Sequence, residues 1–165
     1  MRCTTSYSSS STNICDSIVS VFTSILCPVD FSPHSERALG CALDLAQLTG
    51  ARLTIITVVD AFLDAASTAS GNAGVLTRQT QYEIQSLLAR IREDRQTPRE
   101  APGIAVLIGN AAEQILKQSV KCGADLIVMG TQGLEGTSRF VFGSTTEKVL
   151  REATVPVLAV PMPPA

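Results

Sequence analysis

Ile25-Leu26-Cys27-Pro28-Val29-Asp30-Phe31-Ser32-Pro33 opens the part of the chain that carries a regular pattern. Its first five residues are apolar without alternation, as a strand covered on both faces requires. Ser32 is suited to cap a helix. Pro33 at the first helical position loses nothing, because that N–H has no partner within a helix. Leu39, Ala42, Leu43 and Ala46 then recur at helical spacing, and Gly50 supplies a C-cap. A buried strand passing through a capped turn into a helix is the start of a βαβ unit.

The rest of the chain repeats that pattern. Residues 53–59 form a second strand rich in β-branched side chains. The stretch 60–81 is rich in Ala, Ser, Gly and Thr and reads as a mobile connection through its first half. Ile84, Leu87, Leu88 and Ile91 place a second amphipathic helix. Residues 104–108 are a third strand, and Asn110 with Glu113 makes a capping-box-like start to a helix running to Gly123. Residues 125–129 are a fourth buried strand, closed by Gly130. A glycine-rich loop leads to Gly143, and Thr146, Val149, Leu150 and Ala153 line the last helix. Residues 155–160 are the fifth strand; Pro156 cannot donate to a ladder, which puts this strand at a sheet edge.

Strands and helices alternating at this spacing predict an α/β fold. It is an open five-stranded parallel sheet with helices on both faces and right-handed crossovers. The expected strand order is 3-2-1-4-5, which reverses between strands one and four. Open sheets take ligands outside the carboxyl ends of strands at such a reversal. Asp30 and Gly130 are the residues that follow those two strands.

Length and composition narrow the function. The 165 residues suit one domain, residues 25–165, preceded by a Ser- and Thr-rich extension, residues 1–24, that reads as poorly ordered. Hydrophobic residues at 45% and charged residues at 17% belong to a globular chain. A net charge of −2 leaves no electrostatic footprint for nucleic acid or an anionic membrane. No apolar run approaches the roughly 18 to 20 residues of a membrane span. The best secretory candidate, 18–26, follows Asp16, is interrupted by Ser20, Thr23 and Ser24, and lacks a cleavage pattern. Cys3, Cys15, Cys27, Cys41 and Cys122 show no C-x-x-C spacing, so reduced thiols in a cytoplasmic protein are expected.

The chemistry concentrates after strand four. Gly130, Gly133 and Gly143, the last followed by Ser144 and Thr145, would let backbone amides approach an anion closely. Gly143 and Ser144 also open a helix, whose first amides and dipole attract phosphate. The same glycines also suit plain tight turns with Ser144 as an ordinary N-cap, and spacing alone does not choose. The loop is neither a Walker A loop nor the dinucleotide fingerprint. Asp30 admits two readings as well, ligand contact or turn residue. His34, the single histidine, is expected at the surface. Arg139 is either an anion partner or a solvated loop residue.

Gly130-x2-Gly133-x9-Gly143-Ser144 is similar to the ATP-binding motif of the universal stress proteins, G-x2-G-x9-G-(S/T). The stretch 25–32 resembles their first strand and turn, and 109–115, 123–130 and 155–160 resemble three further blocks in the right order. The resemblance implies that Asp30 and the backbone at Val58 hold adenine and ribose, with Pro28 and Met129 flanking the nucleoside. It implies Gly130, Gly133, Gly143, Ser144 and Thr145 as the phosphate cradle, with Mg²⁺ or Mn²⁺, and a homodimer formed through the fifth strand. Gln132 stands where relatives often have His or Arg, and Asn110 where Asp is common. The expected function is that of an ATP-binding regulatory module in the stress response. AMP and cyclic forms stay open as the nucleotide, and a protein partner is unidentified. The alternative is a slow ATPase on the same fold. One histidine cannot supply a paired-His adenylyl-transfer site, and Glu135 and Glu147 are the nearest carboxylates for positioning water.

Overall fold

The computed structural model describes residues 22–92, 101–132 and 142–162. The strands are β1 (Ser24–Pro28), β2 (Arg52–Val59), β3 (Gly103–Ile108), β4 (Leu126–Gly130) and β5 (Val157–Val160). Between them run helices α1 (Pro33–Thr49), α2 (Ala61–Ala69), α3 (Val75–Arg92), α4 (Ala111–Lys121) and α5 (Ser144–Glu152). All pairings are parallel and the order is β3-β2-β1-β4-β5, as the sequence predicts. Pro156 lies just outside the edge strand β5, where its carbonyl accepts from the Ile127 N–H at 3.0 Å and its missing N–H costs nothing.

Continuous apolar runs follow from this layering, because successive strand residues point to opposite faces. Ile25, Cys27 and Val29 of the β1 segment pack with Leu39 and Leu43 of α1 and Ile84 of α3 on one face. Leu26, Ile56, Ile127 and Met129 pack with Ile115 of α4 and Val149 of α5 on the other. Burial pushes the Cys27 thiol well above its ordinary range, reinforced by the neighbouring Cys41, so Cys27 serves as a small hydrophobe. No described helix is long and apolar enough to cross a membrane.

The helix caps form as read: Ser32 accepts from the Ser35 N–H, Gly50 is left-handed at φ 71°, and Asn110 accepts from the Glu113 N–H. The expected mobile connection after β2 does not. Asp60 Oδ1 accepts from the Phe62 N–H at 2.8 Å and the Leu63 N–H at 3.4 Å, starting α2 at once. Alanine at 61, 65, 66 and 69 sustains that helix. The chain breaks only at Gly71 and Gly74, both at positive φ, and α3 already begins at Val75. Ser and Thr content there masked a cap and a helix.

β1 begins at Ser24, one residue earlier than expected, because a carboxylate fastens it. Asp125 Oδ2 accepts from the Thr23 N–H and hydroxyl, both at 2.7 Å, and Oδ1 accepts from the Ser24 N–H at 3.0 Å. Burial raises the Asp125 pKa, but these hydrogen bonds outweigh it and the net shift is downward. The folded state therefore binds this proton less readily than the unfolded chain. The contribution is complete above the ordinary value of 3.8 and is lost as pH falls through the depressed native value. Asp125→Ala is expected to cost about 1–2 kcal/mol in urea unfolding at pH 7. The gap between parent and variant is expected to close as pH is taken below 3.8. A gap that persists in acid would show that the carboxylate charge is not what fastens β1.

Candidate functional site

The carboxyl ends of β1 and β4 lie side by side at the strand-order reversal, with β2 next to β1. Pro28 ends β1, half-buried, and Met129 and Gly130 end β4, both buried. Val58, half-buried near the end of β2, belongs to the same edge. Beside it, the Thr57 hydroxyl donates to the Val29 carbonyl at 2.9 Å, and the Val29 N–H donates to the Ile56 carbonyl at 2.8 Å.

Asp30 builds the turn out of β1. Its Oδ1 accepts from the Ser32 N–H at 3.0 Å and the Ser32 hydroxyl at 2.6 Å, and its own N–H donates to Ser35 Oγ at 3.3 Å. The turn-residue reading of Asp30 is therefore realised, and both bonds fall on one oxygen, leaving Oδ2 for a further donor. Between these two residues Phe31 sits at φ 63°, a left-handed conformation that an aromatic residue adopts at a cost of about 1 kcal/mol or more. Strain of that kind persists only where the surroundings over-determine it, here by the Asp30–Ser32 bonds and the packing of Phe31 on the core.

The end of β4 is tied to the start of α5. The buried Thr146 hydroxyl donates to the Gly130 carbonyl at 3.0 Å, and the Gly143 N–H donates to the Thr131 carbonyl at 3.0 Å. Gly143 is the N-cap of α5, and among the described residues no side chain caps that helix start. Ser144 is exposed and Thr145 half-buried in its first turn. Two further findings add to the sequence reading. His34 is half-buried, with Nδ1 at 3.3 Å from Thr131 Oγ1. Gly130 has a packing requirement of its own. A Cβ there would stand 2.8 Å from the His34 carbonyl carbon and 2.9 Å from its Cβ. The first turn of α1 thus rests directly on the end of β4.

Pro28, Asp30, Met129, Gly130, Gly143, Ser144 and Thr145 are brought to one sheet edge, with Val58 on the adjoining strand. Gly133, Glu135 and Arg139 lie outside the described residues. Sequence reasoning missed Thr131 and Thr146 as the links between strand and helix. The only signal for Thr146 was a hydroxyl residue in the first turn after Gly143. Among the described residues there is no group of three or more metal-ligating side chains.

A doubly wound parallel sheet of this order belongs to the class of folds that take ligands at a strand-order reversal. Within that class the assignment is narrower: the model of the Universal stress protein family matches residues 22–161, and the chain belongs to that family. It is 34% identical over 145 residues to a universal stress protein of Thermus aquaticus, covering 85% of this chain and 99% of the relative. It is 31% identical over 143 residues to one of Methanocaldococcus jannaschii, covering 87% and 84%. The structure of universal stress protein UspA from Lactobacillus plantarum superposes with a TM-score of 0.67 at 27% identity, over 84% of this chain and 97% of that one. Two others share the fold. One universal stress protein is in complex with cAMP, with a TM-score of 0.61 at 21% identity over 84% and 96%. That of Archaeoglobus fulgidus is in complex with dAMP, with a TM-score of 0.61 at 20% identity over 85% and 98%.

Proposed function

We propose that this universal stress protein binds ATP at the carboxyl edge between β1 and β4 and works as a nucleotide-dependent regulatory module in the cytoplasm. The observation that carries the reading is the start of α5. It is a helix N-terminus with no side-chain cap, bonded through Gly143 and Thr146 to the strand end next to Asp30. Unpaired amides and the helix dipole suit a phosphate. Gly143 itself has φ −61° and ψ 152°, which any residue adopts, so conformation does not explain a glycine there. Close approach of a ligand would account for it. The cAMP and dAMP held by two family structures are in keeping with an adenine nucleotide here.

In this reading Pro28, Val58 and Met129 contact the nucleoside and Asp30 Oδ2 accepts from ribose or base. Gly130, Gly133, Gly143, Ser144 and Thr145 surround the phosphates. Mg²⁺ or Mn²⁺ would arrive on the phosphates, held by their oxygens and water, and needs no protein cage. Glu147 pairs with Arg151 one turn along α5 at 3.7 Å and is exposed, which does not favour it as a group positioning water. Binding is the function proposed for these residues.

Asp30→Asn is the clean test, because an amide oxygen can still accept from Ser32 while the charge goes. Calorimetric titration with Mg·ATP is expected to give saturable binding to the parent. Binding to Asp30→Asn is expected to be about tenfold weaker, the loss of one charge-assisted hydrogen bond. A parent that takes up neither ATP nor AMP would refute the reading.

Assembly is tested separately. β5 is an edge strand that leaves Leu158 38% exposed, and unpaired edges invite a second strand. A homodimer formed through β5 predicts that Leu158→Lys is monomeric in light scattering. An unchanged dimer would put the interface elsewhere.

A further inference from the structure

We propose that α2 is a lid whose Phe62 and Leu63 close over the base of the bound nucleotide; this rests on the nucleotide-binding reading above. Each of the other described helices buries part of itself in the core, whereas α2 buries no residue at all. Phe62 is 78% exposed and Leu63 58%, adjacent in the first turn. Paired apolar side chains held in water forgo the stabilisation their burial would bring, and closing over a ligand would recover it.

The position of α2 identifies what it covers. Asp60 caps the helix at the carboxyl end of β2, directly beyond Val58 and Val59. The same end of β2 is bonded to β1 at Val29, next to Asp30. Phe62 is therefore rooted at the edge where the nucleoside would lie. Strand ends supply the floor of that site, since Met129 is buried and Pro28 half-buried. A purine has two π-faces, and an aromatic side chain over the second adds a stacking contact.

The C-terminal end of α2 also allows the helix to swing about its root at β2. Gly71 at φ +79° and Gly74 at φ +73° separate it from α3, and neither has an atom within 4 Å of where a Cβ would stand. Hinges are a few loop or element-terminal residues of this kind that absorb a change in φ and ψ, and the turn between the two glycines is held to α3 by the Val75 N–H donating to the Asn72 carbonyl at 3.1 Å.

The chain has no tryptophan, so Phe62→Trp is a single reporter. Titrated with Mg·ATP, its emission is expected to move to shorter wavelength over the concentration range in which calorimetry records heat. In the unaltered protein, amide exchange across residues 61–69 is expected to slow about tenfold on saturation. Phe62→Ser, a change at an exposed position, is expected to bind about tenfold more weakly, the share of one stacked ring. Heat without any change in emission or exchange would overturn the lid and leave the nucleotide site standing. Absence of heat with both ATP and AMP would overturn the two together. Emission already shifted without nucleotide, and dependent on protein concentration, would mean that a second copy covers Phe62, and would also overturn the lid.

Discussion

Gly143→Val is expected to remove measurable binding of Mg·ATP while leaving the protein folded. The backbone at Gly143 has φ −61° and ψ 152°, extended values that valine prefers, so the substitution introduces no backbone strain. The bond from the residue 143 N–H to the Thr131 carbonyl survives, as does the bond from the Glu147 N–H to the residue 143 carbonyl. Glycine itself has no side chain that could cap, so none is lost. Glycine is only a modest N-cap and valine a poor one, so the stability change stays within about 1 kcal/mol. Binding is another matter. A branched Cβ at the mouth of α5 would hold a phosphate off the first amides of the helix. Each hydrogen bond to a charged group contributes about 1.5–3 kcal/mol, so losing two weakens affinity by on the order of a hundredfold or more. Thermal unfolding without nucleotide, set beside calorimetric titration with Mg·ATP, separates the two effects. A variant that binds like the parent would mean that α5 does not cradle phosphate.

The contrast between what the sequence discloses and what it hides is physical. The two-faced core was legible because Ile25-Leu26-Cys27 and Leu126-Ile127-Val128 carry no polar face, which only burial on both sides tolerates. The caps at Ser32, Gly50 and Asn110 were legible because a cap is a contact over three or four residues. α2 was hidden because it is short and rich in Ala, Ser and Thr, and only the cap at Asp60 marks its start. His34 and Thr131 were hidden for a different reason. They are 97 residues apart, and their meeting depends on where α1 crosses β4, which no local pattern encodes. The same holds for Thr23 and Asp125, 102 residues apart. The glycines of the phosphate motif were visible as glycines, but the sequence does not say which of them serves a ligand and which serves the fold.

Gly130 is packed against α1, whereas Gly143 is proposed to serve the ligand, and Gly130→Ala is expected to fail by destabilising the protein. Gly130 is buried, and an alanine Cβ would stand 2.8 Å from the His34 carbonyl carbon and 3.0 Å from its oxygen, closer than real Cβ contacts. Two of the three nearest atoms are helix backbone, so no side-chain rotation relieves the clash. The first turn of α1 has to move off β4, and that turn is fixed by Pro33, by the Ser32 cap and by the Asp30–Ser32 bonds. Overpacking of a tight interior costs about 1–3 kcal/mol, and contact with backbone puts this case at the upper end. For a protein whose total stability is about 5–15 kcal/mol, that is a large fraction. Urea unfolding should show the loss as a lower midpoint at unchanged slope. Displacement of α1 would also disturb Asp30 and the contact between His34 and Thr131, so affinity for Mg·ATP is expected to fall as well, whereas Gly143→Val loses affinity alone. A Gly130→Ala variant as stable as the parent would show that α1 can draw back from β4 without cost, and would leave close approach of a ligand as the reason for glycine at both positions.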